Sequence, residues 1–309
     1  MSIKDFFVKE KPVFTGITRG IGGFGFGGAG DQEVPQGSAS GGTKTVIGTT
    51  NYHAFTTNQN LVVTGTLRDC EVLAVGGGGG CGFDVGGAGG GGGLVHFSSL
   101  IFKEGTFGVV IGGGGSSPGV INVRGVPGGN TTIVVSTPPG TPTTITAAGG
   151  GGGGTYPNNP TGSPGGSGGG AGTAPQQLGG TGNQPGLNPG VSFGGFTQYG
   201  NPGGRSAPSA HGSGGGGGSG GGGADGVTGQ PVLGGTGKVY NISGTSYMYA
   251  SGGYGQEDGG PIRPPNEFAD GSPKNGNPAG SGNGANGAGS GSTYPAGDGG
   301  IVIIKYPST

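Results

Sequence analysis

The chain has no tryptophan, two methionines, two cysteines and only 9% charged residues, and each shortage removes a class of protein. Thirteen Lys and Arg against fourteen Asp and Glu leave a formal charge of -1. That balance offers no field to steer a nucleic acid, and it lacks the self-repulsion that keeps many disordered chains extended. Two cysteines, Cys70 and Cys81, make no disulfide framework; a single bridge across that short loop and two small half-buried thiols are both open readings. No stretch approaches the roughly 18 uninterrupted apolar residues of a membrane helix. Lys4, Asp5, Lys9, Glu10 and Lys11 interrupt the apolar run Phe6-Phe7-Val8, so no signal-peptide pattern is read there. No window free of glycine and proline carries an apolar period of 3.6, which predicts almost no α-helix.

Glycine is what the chain has. Glycine (92) and proline (23) make up 115 of the 309 residues, a content usually met in low-complexity chains. Ordering such a chain is costly, because glycine loses the most backbone freedom on folding. With 28% hydrophobic residues, many of them alanine, side-chain burial alone offers little compensation. Backbone hydrogen bonds between segments are the alternative, each worth about 0.5–1.5 kcal/mol net and available at nearly every residue. The stretch 71–97 states the plan: Val72-Leu73-Ala74-Val75 runs without a turn into Gly76, and the glycine run 86–93 exits as Leu94-Val95-His96-Phe97. The same grammar recurs at 108–115, 145–154 and 247–253.

Four segments follow from composition. Residues 1–30 hold an apolar, basic peptide and a glycine-rich connection, with Phe6, Phe7, Val8 and Phe14 as anchors of the kind found at interface centres. Residues 31–148 are β-rich, with strands expected at 43–50, 52–57, 61–67, 72–75, 94–97, 107–111, 131–136 and 143–147. Residues 149–238 alternate glycine runs with Asn/Pro/Ser/Thr loops. Glycine does not fall at every third position, so collagen is excluded. An extended helix with three residues per turn, its backbone bonding sideways to neighbours, is the geometry that glycine runs permit. Residues 239–309 return to strand chemistry and close with Ile301-Val302-Ile303-Ile304-Lys305-Tyr306, which needs cover on both faces and is expected to complete the sheet begun near Val72. The fold class read is all-β and irregular: a small β-rich base carrying a slab of polyglycine-type helices and long loops. Gly90 is expected between stacked backbones, and Ser167 on a less regular stretch.

Familiar catalytic patterns do not stand up. Residues 20–25 match G-x-G-x-x-G, but chance matches abound at this glycine content and no βαβ unit follows. His53, His96 and His211 lack a metal-ligand spacing and read as solvated or capping residues. Glu257, Asp258 and Asp298 read as turn-forming acids rather than a glycosidase pair. No catalytic residue, metal or cofactor is expected. Two readings remain for the aromatic and basic residues on the polar loops, Tyr156, Phe193, Phe196, Tyr199, Arg205, Tyr254, Arg263 and Phe268. They form a stacking and hydrogen-bonding contact surface, or each lies over the glycine sheet as a local plug.

Four features together resemble the glycine-rich domain proteins of tailed bacteriophages, common in marine and cyanobacterial phages. They are the strand running into residues 76–80, the glycine runs parted by Asn/Pro loops, the phrase GTSYMYASGG at 244–253, and the ending DGGIVIIKYP at 298–307. In plan the chain is similar to the glycine-rich adhesins of tail-fibre tips, over about residues 60–307; a short peptide replaces their larger docking domain. The resemblance implies a non-enzymatic virion component, a tail fibre, baseplate appendage or adhesin. It would dock on other virion proteins through Phe6, Phe7, Val8 and Phe14. Its loops would meet a host-surface glycan or outer-membrane protein. A homo-oligomer fits this reading; nucleic-acid binding and membrane insertion do not. The alternatives are a capsid decoration or head-fibre protein, an ice-binding or extracellular matrix protein, and a polysaccharide depolymerase.

Overall fold

In a computed structural model the residues described are 35–137, 141–209, 211–257, 280–287 and 295–308. The N-terminal anchors Phe6, Phe7, Val8 and Phe14, the connection to residue 30, Asp258, Arg263 and Phe268 lie outside them. Among the described residues thirteen strands form, and the helical content is one 3₁₀ turn, Gln184–Gly186. The strands are β1 (Ser38–Ser40), β2 (Thr43–Ile47), β3 (Thr50–Phe55), β4 (Gln59–Thr64), β5 (Leu67–Val75), β6 (Leu94–Phe102) and β7 (Gly105–Val110). They continue with β8 (Thr131–Thr137), β9 (Thr141–Ala147), β10 (Thr197–Tyr199), β11 (Lys238–Tyr240), β12 (Tyr247–Tyr249) and β13 (Ile301–Pro307).

Two antiparallel sheets face each other. One runs β1-β4-β7-β8-β9 and the other β10-β6-β5-β13-β3-β2. Period-two alternation decides the inward set: Leu61 and Val63 on β4, Phe107 and Val109 on β7, and Ile133 and Val135 on β8 meet Val72, Phe97, Phe102, Val302 and Ile304 in one buried core. Each expected run falls on a strand, although 43–50 is cut by the turn at 48–49 and 61–67 is broken after Thr64. Of the region 240–250, Tyr240 and β12 are strand, paired in the hairpin of β11 and β12. β13 sits between β5 and β3, with Ile304 opposite Val72 on one side and His53 on the other. Its apolar face pair is now explained: Val302, Ile304 and Tyr306 enter the inter-sheet core, while Ile301 and Ile303 are covered by Ile242, Tyr249 and Ala250.

The glycine strings grow directly out of these strands. Val75 pairs with Leu94 in the last rung of the β5–β6 ladder, and Gly76 N–H then donates to Gly93 O at 2.9 Å. Beyond that rung the bonding changes from two directions to six. Along 86–93, the N–H groups of Gly87, Gly90 and Gly93 donate to the string 148–154; those of Ala88 and Gly91 to Gly214 and Gly217; those of Gly89 and Gly92 to Ala285 and Gly282. Its carbonyls accept from three further strings: Gly87, Gly90 and Gly93 from 76–82, Ala88 and Gly91 from Gly170 and Ser167, and Gly89 from Gly253. Partners repeat every three residues, and the string has six neighbours drawn from all the segments after residue 31. The string 212–219 repeats the rule, sending Ser213, Gly216 and Ser219 to one neighbour, Gly214 and Gly217 to a second, and Gly215 and Gly218 to a third.

This spacing leaves no room for side chains. A β-carbon on Gly89 would lie 2.0 Å from Gly79 O, on Gly90 2.4 Å from Ser167 O, and on Gly153 1.8 Å from Gly87 O. Ser167 departs from expectation: it is fully buried, donates to Gly91 O and accepts from Gly151 N–H, so it is as regular a lattice position as Gly90. The cysteines are free. Cys70 belongs to the inter-sheet core and Cys81 packs on Ala285 in the lattice. The extended chain between them spans on the order of 30 Å, beyond any disulfide, and burial pushes both thiols up to about 12.

His53 also departs from the solvated reading. Alternation on β3 turns residues 51, 53 and 55 inward, so His53 is fully buried, with Nδ1 2.7 Å from Gly41 O and Nε2 3.2 Å from the Tyr306 hydroxyl. With Nδ1 donating to the carbonyl, Nε2 accepts from the phenol. Burial, aided by the Lys44 charge and opposed by the Gly41 bond, holds its pKa below 6.5.

Two predictions follow from this packing. Gly90→Ala is expected to cost about 1–3 kcal/mol or more through overpacking, whereas Gly113→Ala, whose β-carbon meets nothing within 4 Å, is neutral or stabilising by up to about 1 kcal/mol; paired thermal melts check the contrast. For His53 the unfolded chain binds the proton more readily. Its contribution is therefore complete above pH 6.5 and declines as pH falls from 6.5 towards the depressed native value, by up to about 1.4 kcal/mol per pH unit. Urea unfolding at pH 7.5 and 5.5 should show that slope in the native chain and a smaller one in His53→Gln.

Candidate recognition surface

Each string that leaves the sheets must turn before it can return, and these turns gather at the end of the lattice away from the strands. The strings from β5, β7 and β9 turn at 83–85, 117–124 and 155–161; later ones turn at 172–178, 207–209 and 226–230. Neighbouring turns are tied together. Thr155 Oγ1 donates to Phe83 O at 2.6 Å, Asn159 Nδ2 to Asn122 O at 2.7 Å, and Gly172 N–H to Pro160 O at 2.7 Å. Ser206 Oγ donates to Ala174 O and accepts from Gln177 N–H, and the Ser209 and Thr228 hydroxyls share a hydrogen bond.

The aromatic and basic residues read from the sequence scatter across this framework. Tyr156 lies in a distal turn and is 44% exposed. Arg205 is exposed near the same end, its backbone N–H donating to Asp225 Oδ1 at 2.8 Å. Phe193 and Phe196 are partly buried against the inter-sheet core, with ring centroids 5.9 and 4.9 Å from Phe97. They plug the edge of the sandwich, because the chain returns there to form β10. Tyr199 sits in β10 opposite Leu94, with Lys238 Nζ 4.1 Å from its ring centroid. Tyr254 is 1% exposed inside the string 250–256, and that burial removes it from any contact surface. Phe193 and Phe196 thus cover strands rather than glycine, unlike the local-plug reading, while Tyr254 is enclosed within the lattice.

What the loop reading missed is aliphatic. In the turn 117–124 and just after it, Val120 (56%), Ile121 (52%), Val123 and Val126 are exposed beside Tyr156. Asn122, at φ 66, reverses the chain between them, and its Oδ1 accepts from Asn158 N–H at 3.3 Å. The signal was present: four aliphatic residues, a proline and two glycines in 118–126, a stretch that fits neither period two nor a glycine string.

Charge collects elsewhere, on the outer face of the larger sheet. Glu71 accepts from His96 Nε2 at 3.1 Å and from Lys305 Nζ at 2.9 Å. These bonds, that from His96 foremost, hold the Glu71 carboxyl below its usual value against the opposing effect of burial. Thr50, Asp69, Ser98, Lys305 and Pro307 line a shallow cleft of about 220 Å³ around it. His96 is thus a hydrogen-bond partner of Glu71, and His211 lies exposed at a distal turn. Glu257 pairs through its backbone with Gly212, and Asp298 accepts from Ser281 Oγ and Asn283 Nδ2. Those acids are apart, as turn and network residues. Among the described residues no three His, Cys, Asp or Glu side chains converge as metal ligands.

No curated protein matches the chain in sequence. A family model described as a glycine-rich domain matches residues 53–307, the span that runs from the second half of β3 through β13 and holds every lattice string described above. The chain belongs to the glycine-rich domain family.

Proposed function

We propose that the protein is a structural component of a tailed-phage virion, of the tail-fibre, baseplate-appendage or adhesin type, that acts by recognition and scaffolding without turnover. The N-terminal segment docks on the particle, and the distal turns meet the host surface. The observation that carries this reading is the gathering of the turns at one end of a bonded lattice. In this reading the strings are polyglycine-type helices, with a rise of about 3.1 Å per residue. A lattice that bonds each string to as many as six neighbours holds the turns still, so little conformational freedom is lost on contact. Within the contact end, Val120, Ile121 and Val123 offer apolar area with Tyr156 at their margin. Exposed aliphatic groups of this kind suit a protein surface better than a sugar face, which stacks on aromatics. That balance favours an outer-membrane protein over a glycan as the partner.

Purified protein bound to host cells checks the contact end. A Val120→Ser/Ile121→Ser variant is expected to lose about tenfold or more in cell binding, equivalent to about 1.4 kcal/mol, with an unchanged melting temperature. Undiminished binding removes the distal turns from the reading, and release of sugar from host polysaccharide replaces it with a depolymerase. Deleting residues 1–19 is expected to leave a folded body that no longer incorporates into particles; normal incorporation overturns the docking role.

A further inference from the structure

The two sheets have four edges, and three of them are closed to further pairing. β1 and β10 are three residues long. β9 carries Pro142 and is capped by side chains: Asn188 Oδ1 accepts from Thr146 N–H at 2.9 Å, and Gln184 and Asn188 both donate to Thr146 O. β2 differs on every count. It is five residues long, exposed at every position, and carries Val46 at 56% and Ile47 at 50% exposure. An open strand with aliphatic side chains is a template for another strand.

Which backbone groups are free follows from the hairpin. The turn between β2 and β3 is the pair Gly48-Thr49, with Ile47 opposite Thr50. In a two-residue hairpin the flanking pair exchanges hydrogen bonds. Ile47, Thr45 and Thr43 therefore bond to β3, and Lys44 and Val46 turn their N–H and C=O groups outward.

We infer that β2 pairs antiparallel with β2 of a second copy of this chain, about a two-fold axis at Thr45, joining two six-stranded sheets edge to edge. The sequence TKTVI is self-complementary in that register. Lys44 of each copy exchanges backbone bonds with Val46 of the other, Thr43 faces Ile47, and Thr45 faces Thr45. A lysine on an edge ordinarily discourages pairing. Here it lies opposite a valine, over which its methylene stem can rest. The two lysines are diagonal neighbours about 7–8 Å apart. Thr43 and Thr45 fill one face with the β-branched pairs that stabilise cross-strand contacts. An acidic partner strand would suit Lys44 alone, whereas a second copy satisfies all five positions.

An edge contact of this size is weak in solution, so cross-linking is the sensitive test, and both native thiols are buried. In the full chain, Thr45→Cys places two sulfurs on the axis, in a non-hydrogen-bonded pair with Cα atoms about 4.5 Å apart and within disulfide range. Lys44→Cys places them diagonally, beyond it. Mild oxidation is expected to convert Thr45→Cys to a covalent dimer and to leave Lys44→Cys monomeric. Adding Val46→Pro, tolerated where the N–H faces outward, should abolish the Thr45→Cys dimer without lowering the melting temperature. Equal cross-linking of the two cysteine variants, none in either, or persistence of the dimer with Val46→Pro overturns the pairing. Should Val46→Pro fail to fold, the comparison of the two cysteines decides alone.

Discussion

The fold depends on how closely one peptide backbone can approach another. At most lattice positions a carbonyl oxygen stands within about 1.8–2.6 Å of where a β-carbon would be, a separation that only glycine tolerates. Each glycine gives up more backbone freedom than any other residue would. What offsets that loss is the use of both its hydrogen-bonding groups, often to two different neighbours. Gly90 donates to Gly151 and accepts from Gly79; Gly217 donates to Gly168 and accepts from Gly91. The lattice thus replaces side-chain burial with peptide bonding, and composition follows from geometry.

Such a lattice has no internal means of choosing its register, since one glycine is like the next. The sandwich supplies it. Val75 against Leu94, and Ile301 against Val75, set the rung at which strings begin. Side chains then hold selected points. Gln184 caps Ala148, its Oε1 accepting at 2.7 Å. Asn283 ties Ser251, Ser281 and Asp298 through bonds of 2.6–2.9 Å. Small residues are admitted within the strings as well, Ala88, Ser167, Ala171 and Ser213 among them, and all four are buried. A conventional core thus positions an unconventional one, and the unconventional one positions the turns.

Much of the base was legible because its physics is local. Short runs rich in β-branched and apolar residues, LVVT, VLAV and IVIIKY, announce half-buried or fully buried strands, and those strands formed. The surface residues were less legible. Tyr254, Phe193 and Tyr156 each stand within two residues of a glycine. Yet the first is enclosed by neighbouring strings, the second plugs a sheet edge, and the third is exposed. The difference lies in which string passes overhead, and no residue near any of them encodes that. His53 was misread for a related reason: its strand was recognised, but its inward face was settled by pairing with β13, more than two hundred residues away.

Sequence alone therefore determined the alphabet: strands where β-branched and apolar residues alternate, bare backbone where glycines run, and next to no helix. Those are consequences of sterics within a few residues. Tertiary structure decided the neighbours: the six partners of 86–93, the burial of Ser167 and Tyr254, the separation of Cys70 from Cys81, and the exposure of Val120 and Ile121. A glycine can accept a partner on any side, so the choice among sides belongs to the whole assembled chain.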